Sequence, residues 1–437
     1  MKPADVNRRL ATLTVPNVLA GLAVPFAGLV DTAILGHLPT PTALAGVALG
    51  SIIFDFLWGF FGFLRMSTTG LVAQARGAKK MREAHQAVLR SVLLGGIIGV
   101  GVLLVYPLLG DAAFDVLGGE PEVRQAGYDY YTQRILAAPA TLCGFALLGS
   151  LLGQGRAKAV LLVAVITNLS NVVLDILFVW HWDLGAAGAG QATAISQVLG
   201  TTVALALVLP ATLKTPDVMR DLWNLDAVRQ SMQLNKGIVI RSLLLTSAFA
   251  LFTQASATMG TVVLAANAIL MKVVMTASYF IDGIAFATET IVGEAAGARD
   301  PETCQQVLTT ASRWGVLTGF VCAALVVGLP TWTLGLLSDH SDVLATAMSM
   351  RWWLFGVMCF GGHAYICDGF FVGLADGATM WRAMAISCVF GFLPWLLLAY
   401  STQSPHALWT GMTVFMALRV VTMQAVVKRR MRELTPS

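Results

Sequence analysis

The chain has 437 residues, 57% hydrophobic and only 12% charged, with a mean hydropathy of +0.74. A soluble domain carries roughly 25% charged residues, so half that share excludes a soluble enzyme and leaves no room for a separate aqueous domain. The net charge of +4 marks no nucleic-acid partner.

Taken in chain order, apolar runs of bilayer length fall near 10–36, 42–75, 88–110, 125–153, 158–181, 186–211, 236–259, 262–297, 307–337, 343–374, 379–401 and 405–427. Turn-like breaks separate them at Leu38-Pro39-Thr40-Pro41, Gly118-Gly119-Glu120-Pro121 and His181-Trp182-Asp183, and across the polar stretch 212–235. The first run is too long for a signal peptide and contains Asp31, so it is read as an uncleaved span. With the N-terminus inside, about 23 of the 28 Lys and Arg residues lie at or beside cytoplasmic ends, as the positive-inside rule requires. Arg124, Arg134 and Arg351 fall toward the outside, and Arg65 and Lys272 fall within spans. The six cysteines show no metal-ligand spacing and read as free thiols.

The two halves resemble each other. Leu44–Lys80 aligns without gaps on Leu264–Asp300, and Gly149 and Gly153 find Gly369 and Gly373 at the same offset. The predicted organisation is a first lobe over 1–212, a cytoplasmic loop over 213–235 and a second lobe over 236–437. Six helices is an even number, so both lobes keep one orientation and a cavity between them is expected to bind substrate. The fold class is therefore an all-α integral membrane protein of twelve transmembrane helices in two pseudo-symmetric six-helix lobes.

Ionisable residues inside a span are costly and mark function by default. Asp31 near the outer end of the first span, Asp175 and Asn171 on one face of the fifth, and Thr193 in the sixth share one depth; Asn168 shares the face of Asn171 and Asp175. Two carboxylates close together cannot both stay ionised cheaply, which suits a proton carrier. Carboxylate, amide and hydroxyl oxygens also suit sodium, and spacing does not choose between the two ions. The second half lacks this cluster: Asn171 maps to Gly391 and Asp175 to Trp395. Pro16 and Pro25 precede Asp31 in the same helix, and each removes a backbone hydrogen bond, so both are candidate hinges. Asp55, Arg65, Asp282, Glu289 and Asp368 are candidates for a gate or a cavity wall, with Glu294 a further pairing partner. Aromatics and methionines of the second and eighth spans, Phe54 and Trp58 among them, could form a wall for flat apolar cations. No nucleotide loop, HExxH or nucleophile elbow occurs, so no cofactor is implied and transport is expected to run on an ion gradient.

The stretch Val24-Pro25 through Gly28-Leu29-Val30-Asp31-Thr32-Ala33-Ile34-Leu35-Gly36-His37-Leu38 resembles the first helix of the DinF branch of the MATE (multidrug and toxic compound extrusion) family. Phe63-Leu64-Arg65-Met66-Ser67-Thr68-Thr69-Gly70 is similar to that branch's second helix, Asp282-Gly283 through Glu289 to its eighth, and Asp368-Gly369 to its tenth. The resemblance implies a MATE/MOP-type fold, alternating access, and antiport of drugs against protons or sodium. It carries cation coupling onto Asp31, Asn171, Asp175 and Thr193, with sodium at these four as the metal alternative, and a hinge onto Pro16. Where other branches place a carboxylate in the seventh helix, this chain offers only Arg241 and Gln254. The resulting expectation is a secondary antiporter in a bacterial inner membrane, with both termini cytoplasmic. It would export amphipathic or cationic small molecules against protons, with sodium as the alternative ion. A lipid-linked glycan flippase of the same superfamily and a cation channel are the competing functions.

Overall fold

A computed structural model describes residues 3–38, 40–220 and 222–435; Pro39, in the first expected break, lies outside them. Twelve helices are long and apolar enough to cross a membrane. They are α1 (Pro3–Gly36), α2 (Thr42–Gly77), α3 (Met81–Leu117), α4 (Pro121–Gly153), α5 (Ala157–His181) and α6 (Gly185–Leu213). The second set is α7 (Leu225–Thr258), α8 (Thr261–Gly297), α9 (Pro301–Gly328), α10 (Trp353–Gly373), α11 (Gly377–Thr402) and α12 (Pro405–Leu434). No strand occurs among the described residues. That is the arrangement lipid demands, because a helix satisfies its backbone polar groups internally.

Some of the helices begin at side-chain caps. Asp300 accepts from Thr303 N at 2.9 Å ahead of α9, and Asp376 accepts from Thr379 N at 3.1 Å ahead of α11. Such side chains take up amide groups that the first turn leaves without partners. α5 changes pitch after Asp175, where Ile176–His181 forms a π-helical turn, and α11 does so over Ser387–Phe392.

The described residues fall into two compact units. One comprises Leu19–Arg76 and Lys80–Val228; the other holds α1 as far as Val18, the turn Gly77–Lys79, and the chain from Arg229 onward. α1 therefore contributes to both. Within the first unit α4 is the central helix, packed by α2, α3 and α6; within the second α10 takes that place, packed by α8, α9 and α12.

Between helices already in lipid there is little hydrophobic drive, so close approach depends on small residues. A Cβ on Gly95 would lie 2.7 Å from Leu142 O, and on Gly315 2.7 Å from Gly362 O. On Gly149 it would lie 2.3 Å from Arg65 O, and on Gly369 2.6 Å from Ala285 O. Each crossing and its counterpart are 220 positions apart, partner for partner. The same interval separates left-handed backbone positions: Lys79 (φ 60) and Arg299 (φ 55), Gly155 (φ 70) and Ala375 (φ 53), Asp183 (φ 53) and Gln403 (φ 51). The internal duplication is thus written in helix crossings and turns as well as in residue identities. Side chains such as Leu104, Leu108 and Phe390 stay exposed, as a lipid-facing surface requires.

Candidate functional site

The first unit brings Asp31 of α1 and Asp175 of α5 within hydrogen-bonding reach of each other. Asp175 is buried and Asp31 half-buried. Asn171, one turn before Asp175 and also buried, donates from Nδ2 to Asp175 Oδ2 at 2.8 Å. Each carboxyl leaves its Oδ1 buried with no donor. Two facing carboxyls with an acceptor to spare on each side are an arrangement that a single shared proton satisfies. The π turn begins at the residue after Asp175, and such turns are frequent at functional sites. Within it, Trp180 donates from Nε1 to Ile34 O at 3.1 Å, so α5 holds α1 a second time, about one turn past Asp31.

Arg134 of α4 is the residue that sequence reasoning missed. Its charge acts on Asp31. Its guanidinium lies 4.3 Å from the centroid of the Phe54 ring and donates to Tyr130 OH at 2.6 Å. Phe54 also meets Trp58 and Tyr131 at centroid distances of 5.6 Å. Counting Lys and Arg by side of the membrane assigned Arg134 to the outside. The available signal was its i, i+4 spacing from Tyr130, which points a cation along an aromatic face. With both carboxyls ionised, Asp31, Asp175 and Arg134 sum to one negative charge.

Thr193 does not join the group. Its hydroxyl donates to Ala189 O at 2.9 Å in its own helix, and no hydrogen bond links it to Asp31, Asn171 or Asp175 among the described residues. Asn168 likewise turns back to Ala164 O at 2.7 Å. The donor set therefore fits sodium poorly in this conformation. Asn171 presents N–H rather than oxygen to Asp175, and Thr193 is spent on its own backbone, whereas hard cations need several oxygens converging. Among the described residues no group of three or more His, Cys, Asp or Glu could hold a metal ion.

α1 has a second anchorage in the other unit. Arg9 pairs with Glu294 of α8, and Val18 packs against Gly283, where a Cβ would come within 2.3 Å of Val18 Cγ2. Pro16 lies inside this fastened stretch; Pro25 lies between it and Asp31. α1 runs unbroken through both prolines.

The remaining candidates lie on several helices. Asp55 is exposed and Arg65 half-buried on α2. Glu289 is buried on α8. In the second unit Asp368 of α10 is gripped by two guanidiniums: Arg241 of α7 and Arg419 of α12 both donate to its Oδ2, the latter at 2.5 Å. Arg419 is fully buried, and Asp282 acts on Arg241 and on the half-buried Tyr365 through space. One carboxylate thus holds both guanidiniums.

The family model described as MatE matches residues 16–177 and 238–396. DNA damage-inducible protein F of Escherichia coli is 33% identical, over 98% of this chain and 93% of its own length. A probable multidrug resistance protein, NorM, of Pseudomonas putida is 24% identical over 99% of this chain and 96% of its own. Among solved structures, the Vibrio cholerae MATE transporter VcmN in its bent form superimposes with a TM-score of 0.89 at 19% identity, covering 99% of this chain and 98% of that one.

Proposed function

The chain belongs to the MatE family of transporters, and from that premise we propose that it exports amphipathic, often cationic compounds in exchange for protons, with Asp31 and Asp175 as the coupling pair. The observation that carries this reading is the facing of the two carboxyls, each with a buried oxygen that lacks a donor. A proton entering from outside would be shared between them and would cancel the site's single negative charge. Losing that proton toward the cytoplasm restores the charge and, with it, the attraction for a cationic substrate. Phe54 and Tyr130 supply the aromatic faces on which a flat cation would stack; Arg134 occupies that place here.

Coupling to shape follows from α1. Its outer half is held at Asp31 and Ile34, its inner half at Arg9 and Val18. Gain or loss of the shared proton changes only the outer hold, and Pro25 provides the bend between the two. We place the protein in a bacterial inner membrane with both termini cytoplasmic, on the asymmetry of its Lys and Arg residues. A glycan flippase would call for an open basic cavity; the guanidiniums of Arg241 and Arg419 are instead closed around Asp368.

The test is dye efflux from proteoliposomes with proton and sodium gradients imposed separately, for wild type, Asp31→Asn and Asp175→Asn. A proton gradient should drive export by the wild type, and each variant should fall to the level of protein-free vesicles. Full coupled export by both variants would falsify the mechanism.

A further inference from the structure

The second unit contains a cavity of about 560 Å³ between α9, α10 and α12 that the coupling site does not use. Its polar end is built from Gln305, Thr309, Ser312 and Arg313 of α9 with His363 of α10 and Gln424 of α12. Gln424 donates from Nε2 to His363 Nε2 at 2.8 Å, which fixes both side chains on the wall. Ser312 is only 6% exposed, and its hydroxyl has no hydrogen-bond partner. Arg313 is exposed and pairs with no acidic side chain among the described residues. An unpartnered buried hydroxyl beside an unpaired guanidinium is a deficit of acceptor, the kind a phosphate oxygen fills.

The other end is apolar, lined by Val316, Leu317 and Phe320. The change of character follows depth. α9 is polar as far as Arg313, then runs apolar from Gly315 to Gly328, and Trp314 stands at the boundary where aromatic residues mark the headgroup level. From Gln305 to Phe320 is about 22 Å of helix at 1.5 Å per residue, more than one hydrocarbon leaflet of about 15 Å. α9 and α10 cross closely at Gly315 and Gly362, next in sequence to His363.

We propose that this cavity is a binding site for an anionic phospholipid of the cytoplasmic leaflet, its phosphate on Arg313 and Ser312 and one acyl chain along Leu317 and Phe320. Basic pockets between membrane helices on the cytoplasmic side suit such headgroups. The proposal rests on the Lys and Arg asymmetry for the side of the membrane and is independent of which ion drives transport.

The experiment measures lipid retained by the full-length protein after detergent exchange, by mass spectrometry, from mixtures of phosphatidylglycerol and phosphatidylcholine. Wild type should retain phosphatidylglycerol about fivefold over phosphatidylcholine, whose trimethylammonium offsets the phosphate charge beside Arg313. Arg313→Gln should erase that preference and Ser312→Ala should reduce it. Arg429→Gln, at an exposed arginine already paired with Glu433, should leave it unchanged. Equal retention by Arg313→Gln and wild type overturns the proposal. Displacement of the bound lipid by millimolar inorganic phosphate overturns it too, in favour of a free-anion site. That competition uses wild type alone, so the proposal stays refutable if a variant does not fold.

Discussion

Replacing Asp368 by Asn separates a structural fastener from a coupling group. Asp368 is 4% exposed and Arg419 fully buried, and one carboxylate oxygen receives both Arg419 and Arg241. Asn keeps the volume and an acceptor but removes the charge, leaving two guanidiniums with much less compensation. Breaking a buried pair in this way costs about 3–5 kcal/mol, most of it the desolvation of the charge left behind. For a unit of about 200 residues, each kcal/mol lowers the midpoint by about 2–4 °C, so the shift should be about 6–20 °C. Thermal unfolding followed by a thiol-reactive dye on the free cysteines measures it. The triple replacement Asp368→Leu, Arg241→Met and Arg419→Met should recover most of the loss, because it removes the charges together with their desolvation cost. If Asp368→Asn keeps its midpoint within about 2 °C and abolishes ion-driven export, the triad is a transport site and the reasoning fails.

Three further outcomes are expected. Pro25→Ala restores a backbone hydrogen bond between the two anchorages of α1 and should slow gradient-driven export more than Pro16→Ala, whose site is already fastened at Arg9 and Val18; equal slowing by both would remove Pro25 from the mechanism. Gly149→Ala forces a methyl to 2.3 Å from Arg65 O and should cost about 1–3 kcal/mol. Gly101→Ala, where nothing lies within 4 Å, should be neutral in the same thermal assay. Arg134→Gln takes the positive charge from beside Asp31 and should strengthen binding of a fluorescent organic cation in a direct titration; unchanged binding would mean that the guanidinium and the substrate do not compete.

The sequence made the spans and the duplication legible because both are written in strong, repeated signals: long apolar runs, and small residues recurring at one interval where backbones touch. That Asn171 and Asp175 share a face was legible too, since a turn of helix sets it; their hydrogen bond was not read from it. What stayed hidden depended on depth and rotamer. Arg134, Arg241 and Arg419 all counted toward one side or the other in a charge tally, yet each points into its own unit, toward an aromatic ring or a carboxylate. Thr193 shares a depth with Asp175, but a threonine in a helix can bond its own backbone, and this one does. The π turn after Asp175 leaves no mark in composition at all.

The double membership of α1 has a consequence for biosynthesis. Val18 leaves the ribosome early, but Gly283 and Glu294, which clamp the inner half of the helix, follow some 265 residues later. At about 5–20 residues per second the delay is roughly 15–50 s. In the later part of that interval the nascent chain has α5 to hold the outer end of its first helix and nothing yet made to hold the inner end. The last-made half of the protein therefore finishes the first-made helix, and a chain truncated before α8 would carry an α1 secured at one end only.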